Sequence, residues 1–215
     1  MDIKYLGHSS FQIKTKTATV VTDPFDAKIG LKFPKVEADI VTVSHQHDDH
    51  NKSEQVGGDR LIVDWPGEYE KQGVRVTGFR AFHDKSKGAD RGEVTMFKIE
   101  ADGLSILHVG DLGHTLTEEF TAQIGAVDIL MVPVGGFYTV DAGEASEVAK
   151  KLEAGIVIPM HYNNEKLDQK VFGQLTPIDD FLKKIGVPSE TLPKLSVKKE
   201  DIGENMRVVV LEISS

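Results

Sequence analysis

A succession of short apolar runs, each cut off by Gly, Pro or Asp, commits this chain to a sheet-rich fold from its first residues. Ile3–Leu6, Phe11–Thr15, Thr19–Thr22, Ile40–Val43, Arg60–Val63 and Val74–Phe79 read as strands, with little room for helix between them. Further strands are expected at Glu93–Glu100, Ser105–Val109, Ile129–Val132, Ile156–Pro159 and Arg207–Ile213. Helix signals come late. Thr115-Leu116-Thr117-Glu118 has the spacing of a capping box, and Gly125 stands where the helix it opens would close. Asp141 is placed to cap a second helix through Ala145, Val148, Ala149 and Leu152, with Gly155 as its stop. Thr176-Pro177-Ile178-Asp179 opens a third, with Pro at the first helical position. Strands first and strand–helix alternation afterwards imply layers of sheet covered by helices.

The 215 residues contain no repeat and no linker-like stretch, so residues 1–215 are expected to form one domain. Lys and Arg number 25 against 34 Asp and Glu, a formal charge of −9, which leaves no sequence-wide basic field for a nucleic acid. A small anionic substrate stays compatible with that charge, because a bound metal ion can dominate the field around it. Cysteine is absent, which removes disulfides, thiolate nucleophiles and thiolate metal ligands together. The opening MDIKYLGHSSFQIK alternates like a strand and has neither the basic nor the apolar segment of a leader. No apolar run approaches the roughly 18 residues of a membrane span, and a soluble, cytoplasmic protein is expected. Oligomeric state is not fixed by these features.

The stretch Ser44-His45-Gln46-His47-Asp48-Asp49-His50 places three of the eight histidines within six residues, directly after the apolar run Ile40–Val43. One histidine there would pass as part of a polar turn. Three beside two carboxylates at the end of a buried strand would suffer costly desolvation unless something bound them. Imidazole nitrogen and carboxylate oxygen suit zinc, manganese or iron. So short a loop can present His45 and His47 to one ion and Asp49 and His50 to its neighbour, but it cannot enclose both. The remaining ligands should stand just past the ends of other strands, gathered at one sheet edge. Ala81-Phe82-His83-Asp84, Val109-Gly110-Asp111-Leu112-Gly113-His114 and Ile158-Pro159-Met160-His161-Tyr162 fit that description. His108, three residues before Asp111, competes with His83 as the third imidazole of the first ion.

The HxHxDH stretch, the Gly-Asp pair after a strand and the late histidine together resemble the metallo-β-lactamase superfamily. GHSSF at 7–11, DPF at 23–25, GDLGH at 110–114, PVGGFYTVDAGEA at 133–145 and IPMHY at 158–162 resemble the branch that includes L-ascorbate-6-phosphate lactonase. The resemblance implies an α+β sandwich (αββα) of two mixed β-sheets packed face to face and flanked by helices. It further implies two divalent ions, zinc first with manganese or iron as alternatives. His45, His47 and His83 would hold one, Asp49, His50 and His161 the other, and Asp111 would bridge them. Asp49 would have a catalytic role as well, orienting the hydroxide shared by the ions. The implied activity is attack of that hydroxide on a small ester or lactone, a phosphorylated one among the candidates. A phosphodiesterase or nuclease with the same site, and a metal-binding sensor without turnover, are the alternatives. Histidine at 47 and the lack of cysteine set the chain apart from the diiron flavoprotein and class B lactamase patterns.

Several residues carry two readings. His8 is either a hydrogen-bonded histidine at a strand end or part of the site. Asp23 is either a turn residue or a brace for the metal loop. Gly135-Gly136 would admit a substrate anion to backbone N–H groups or form a plain turn. His114 is a cap or a supporting group, and Tyr162 is an oxyanion donor or a residue turned away. Lys85, Lys87 and Arg91 form either a solvated loop or one that steers a phosphate into the site.

Overall fold

The computed structural model describes residues 1–214. Two sheets make up its frame. The first contains β1 (Asp2–Gly7), β2 (Ser10–Lys14), β3 (Thr19–Thr22), β4 (Ile40–Thr42), β5 (Leu61–Val63) and the short β13 (Leu195–Ser196), in the order β13-β1-β2-β3-β4-β5. The second contains β6 (Gly67–Lys71), β7 (Val74–Phe82), β8 (Glu93–Ala101), β9 (Leu104–His108), β10 (Ile129–Pro133), β11 (Ile156–Met160), β12 (Ser189–Leu192) and β14 (Arg207–Leu211). Its order is β12-β14-β11-β10-β9-β8-β7-β6. Both sheets are mixed: hairpins and the distant β1–β13 pair supply the antiparallel contacts, while β3-β4-β5 and β9-β10-β11-β14-β12 run parallel.

The apolar runs are continuous because both faces of each sheet are covered. Along β3 and β4, Val20 and Ile40 turn toward the second sheet while Val21 and Val41 turn outward. Along β10, Ile129 and Met131 face the first sheet and Leu130 and Val132 face the helices. The shared layer between the sheets is filled by Phe11, Ile13, Phe97, Ile99 and Ile106, all buried. Helices α1 (Glu118–Ile124), α2 (Ala142–Leu152) and α4 (Ile178–Ile185) cover the outer face of the second sheet through residues such as Ile124, Val148 and Phe181. The outer face of the first sheet is closed by loops, a 3-10 turn at Ala27–Ile29 and the short α3 (Gln169–Phe172). This is the face-to-face sandwich expected from the sequence.

Local signals set the helix ends, with small displacements. Thr117, rather than Thr115, caps α1 by accepting from Phe120 N, and Gly125 closes it. Asp141 and Glu144 form a full capping box on α2. That helix stops at Leu152, before Gly155, because Glu153 takes a left-handed conformation. Pro177 stands at the cap of α4 instead of its first turn, with no side-chain cap bond.

Strand direction decides where loops collect. β7 is antiparallel to β8, and β8 to β9, so β7, β9, β10 and β11 all point the same way. By the same reasoning β1, β3 and β4 share one direction in the other sheet. Residues 8, 23, 44–50, 83, 111 and 161 all follow the ends of these strands.

Candidate metal centre

Asp111 stands at the middle of the cluster. Its Oδ2 lies 3.3 Å from the Nε2 atoms of His50, His83 and His161, and 3.9 Å from His45 Nε2. Its side chain is buried, and its Oδ1 has no hydrogen-bond partner. Burial alone would raise its pKa, but His161 and His50 outweigh that and hold it well below the ordinary carboxylate range. His50 shows the converse. Burial opposes its charge, yet Asp111 and Asp49 hold its pKa well above that of a free imidazole. The two carboxylates therefore draw positive charge onto His50.

The HxHxDH loop is fixed from behind by Asp23. One carboxylate oxygen accepts from Ser44 N at 2.8 Å, and the other accepts from Ser44 Oγ at 2.6 Å and His50 Nδ1 at 2.9 Å. Because the Ser44 hydroxyl gives its only proton to Asp23, it accepts from His45 Nδ1 at 3.0 Å. His45 thus carries its proton on Nδ1 and turns a bare Nε2 toward Asp111, the tautomer a metal ligand needs, while His50, fixed through Nδ1 by Asp23, would free its Nε2 for a metal by giving up its second proton. Burial, followed by the His50 charge, pushes the His45 pKa well below normal and keeps that ring neutral. His47, at the exposed rim, brings its Nδ1 to 2.9 Å from His45 Nε2. Of the two readings of Asp23, it is the brace that the hydrogen bonds describe.

His83 follows β7, and Asp84 organises the loop beyond it. The Asp84 carboxylate accepts from the backbone N–H groups of Ser86, Gly88, Asp90 and Arg91 at 2.8–3.1 Å. Two glycines let the donor loops close up. A Cβ on Gly113 would stand 2.3 Å from the His83 carbonyl carbon, and one on Gly135 would stand 2.2 Å from the His161 carbonyl oxygen. The Gly135 turn is thus a point of close approach between loops.

Three groups of donor atoms fall within metal-binding reach: His45, His47 and His83; His45, His50 and Asp111; and His8, Asp49, His50 and His161. These contain all seven residues of the ligand set that the resemblance implies, together with His8. The donor set fits a metal: nitrogen and carboxylate oxygen only, buried apart from His47 and the partly exposed Asp49, with His50 Nε2 and Asp111 Oδ1 lacking other partners. His108 lies outside. Its Nε2 donates to Ser9 O at 2.8 Å and its Nδ1 accepts from Gly110 N, which ties β9 to the β1–β2 turn. His114 is likewise engaged with backbone, at Phe82 N and Thr115 O. Tyr162 packs into the layer between sheet and helices, where burial pushes its pKa up to about 12.

The donors open into a cavity of about 200 Å³, whose walls include Arg91, Tyr138, Val171 and Phe172. A second depression of about 360 Å³ adjoins His45 and His47 and is bordered by Trp65, Arg80 and Arg91. A larger one, about 680 Å³, lies away from the cluster beside Asp128, Gly155 and Met206, and it gathers no comparable set of donors. Of the basic loop, Lys85 is engaged with Glu144 at 2.5 Å and Lys87 is exposed, so Arg91 alone borders the cavity. Tyr138 is a site residue that the sequence does not mark, although it lies within the PVGGFYTVDAGEA motif. A tyrosine in a Gly-containing loop carries no signal of what it faces.

A family profile described as a β-lactamase superfamily domain matches residues 2–161. The chain belongs to the metallo-β-lactamase superfamily of hydrolases. It is 31% identical to a metal-dependent hydrolase of Hyperthermus butylicus, over 75% of this chain and 83% of the relative. A metal-dependent hydrolase of Thermococcus onnurineus is 28% identical, over 75% and 84%. Among solved structures, a Thermotoga maritima protein described as a Zn-dependent hydrolase of the superfamily superimposes with a TM-score of 0.81 and 37% identity, covering 98% of this chain and 97% of that one. A Parabacteroides distasonis protein described as a metal-dependent hydrolase shares the fold at a TM-score of 0.66 and 19% identity, over 99% and 93%.

Gly135→Ala tests how tightly the donor loops are packed. The added methyl would strike the His161 carbonyl, so the variant is expected to lose about 1–3 kcal/mol of stability. It should also shift the His161 ring resonances in NMR spectra. An unchanged melting temperature and unchanged His161 resonances would contradict the close approach.

Proposed function

We propose that residues 1–215 act as one domain that hydrolyses small esters or lactones at a centre of two divalent ions, zinc foremost and manganese or iron next. The observation that supports this reading is the convergence on Asp111 of imidazoles from both proposed ligand sets, His45 and His83 from one and His50 and His161 from the other. In it His45, His47 and His83 hold one ion, Asp49, His50 and His161 hold the other, and Asp111 serves both. When bound, such ions polarise the attacked oxygen and lower the pKa of water toward neutrality. Asp49 is the catalytic carboxylate: opposing burial, His50 and the His8 hydrogen bond hold its pKa far below normal, so it remains an acceptor able to orient the attacking water.

The rest of the cavity governs the substrate. Tyr138, Val171 and Phe172 form an apolar wall that limits water beside the reacting carbonyl. Arg91 supplies charge. Its guanidinium lies over the Tyr138 ring at 4.6 Å from the centroid, and no carboxylate among the described residues pairs with it. Arg80, by contrast, lies 3.4 Å from Glu93. A substrate with an anionic group remote from its ester suits this arrangement, and phosphorylated lactones are one such class.

Three measurements bear on the proposal. Chelation should abolish hydrolysis of a responsive ester, and added zinc or manganese should restore it. Asp111→Ala should retain less than one ion per chain and stay inactive on metal addition, because both donor groups lose a shared ligand. Retention of two ions with normal turnover would refute the role given to Asp111. For substrate charge, Arg91→Gln should raise KM for an anionic ester about tenfold and leave a matched neutral ester nearly unchanged. Lys85→Gln and Lys87→Gln should change neither. Equal effects of Arg91→Gln on both esters would remove Arg91 from substrate recognition.

A further inference from the structure

His8 is the donor in the cluster that the proposed ligand set leaves unused, and its surroundings are built with care. It follows β1 at a bulge where the β1–β2 register shifts between Tyr5 and Gly7. Its backbone is left-handed, with φ of 55°, a conformation uncommon outside glycine, although histidine is among the residues that adopt it more readily. Two bonds hold it there: the His8 carbonyl accepts from Tyr5 Oη at 2.7 Å and from His161 N at 2.9 Å. The ring is buried, 4.1 Å from the His161 ring and 5.0 Å from Phe172. The first hairpin is thus fastened to the loop that carries a proposed ligand.

His8 is bonded differently from His45 and His50, and like His83 and His161 it leaves Nδ1 buried without a partner; unlike all four, it makes no contact with Asp111 and turns Nε2 to Asp49 instead. His45 and His50 occupy Nδ1 with Ser44 and Asp23 and leave Nε2 turned toward Asp111. His8 occupies Nε2 with Asp49 Oδ2 at 3.0 Å and leaves Nδ1 buried without a partner. A carboxylate only accepts, so the proton of a neutral His8 sits on Nε2 and Nδ1 is the bare acceptor. A buried unpaired acceptor is the more tolerable of the two possibilities. Asp111 lies within 4 Å of His45, His50, His83 and His161, and no such contact joins it to His8.

We propose that His8 is a positioning residue and not a metal ligand: its Nε2–H donates to Asp49 and fixes the rotation of the carboxylate facing His50. This inference rests on the metal centre proposed above. Asp49 Oδ2 is also 3.5 Å from His50 Nε2, so the same oxygen is held at the place where the second ion's donors converge. A carboxylate at the end of a short loop would otherwise rotate freely about its last bond. Orienting partners of this kind support the affinity of the ion they flank by about ten- to a hundredfold.

The direct test uses the wild-type chain titrated with zinc and followed by long-range ¹H–¹⁵N correlation of the imidazoles. His8 is expected to keep its Nε2 proton after two equivalents, while His50 and His161 show coordination through Nε2. Loss of the His8 Nε2 proton to zinc would overturn the proposal and leave the metal centre standing. A chain that takes up no zinc would overturn both. Variants give a second readout. The amide nitrogen of glutamine overlies histidine Nε2 and can donate to Asp49, so His8→Gln should bind the second equivalent of zinc as the wild type does. Its cobalt(II)-substituted absorption spectrum should also match. His8→Ala should weaken the second equivalent at least tenfold and leave the first unchanged. A His8→Gln chain that loses the second ion to the same extent as His8→Ala, or whose cobalt spectrum shows a lost nitrogen ligand, would contradict the positioning role.

Discussion

A single carboxylate buried among four imidazoles is the constraint on which this molecule turns. Asp111 has His50, His83 and His161 at 3.3 Å and His45 at 3.9 Å from one oxygen, while its other oxygen lacks a partner. Buried charge without compensation is expensive, and crowded imidazoles cannot all carry a proton. The pocket answers that conflict by dividing the roles. His50 takes up positive charge beside Asp111 and Asp49, and His45 is kept neutral by burial and by the charge on His50. A divalent cation would meet the same demand with Asp111 and the imidazoles around it as donors once His50 gives up its second proton, which is why the arrangement reads as a metal centre.

The fold serves that carboxylate through strand direction. β1, β3 and β4 share a direction in one sheet and β7, β9 and β11 in the other, so the loops after them meet at one end of the sandwich. Each loop then has its own anchor. Asp23 holds the 44–50 loop, Asp84 gathers four backbone N–H groups after His83, and His108 ties the strand before Asp111 to Ser9. Glycines at 113 and 135 permit contact distances that a methyl group would forbid. The donors therefore sit on stiff supports, which favours a preorganised site over one assembled by ligand binding.

What could be read from the sequence followed from burial and from local chemistry. Ile40–Val43, Ile129–Val132 and Ile156–Pro159 are legible as strands because both of their faces are covered. Asp141 is legible as a cap because its bonds are made within three residues. β6, β12 and β13 were not foreseen, since Glu68-Tyr69-Glu70 and Ser189-Glu190-Thr191 lie at sheet edges and carry no apolar pattern. The HxHxDH loop announces its chemistry by crowding, and the later donors by their place after strands. His8, Asp84 and Tyr138 could not be assigned that way: what each does depends on partners brought near only by folding, such as Asp49, 41 residues on from His8. The same limit applies to Lys85, whose cationic appearance in sequence is cancelled by Glu144 in space.

Anomalous diffraction from crystals of the chain grown with zinc would test the central claim most directly. Two peaks are expected on either side of Asp111, roughly 3.5–4 Å apart. One should be surrounded by His45, His47 and His83 and the other by Asp49, His50 and His161. A single peak, or two that leave Asp111 without contact to both, would contradict the account.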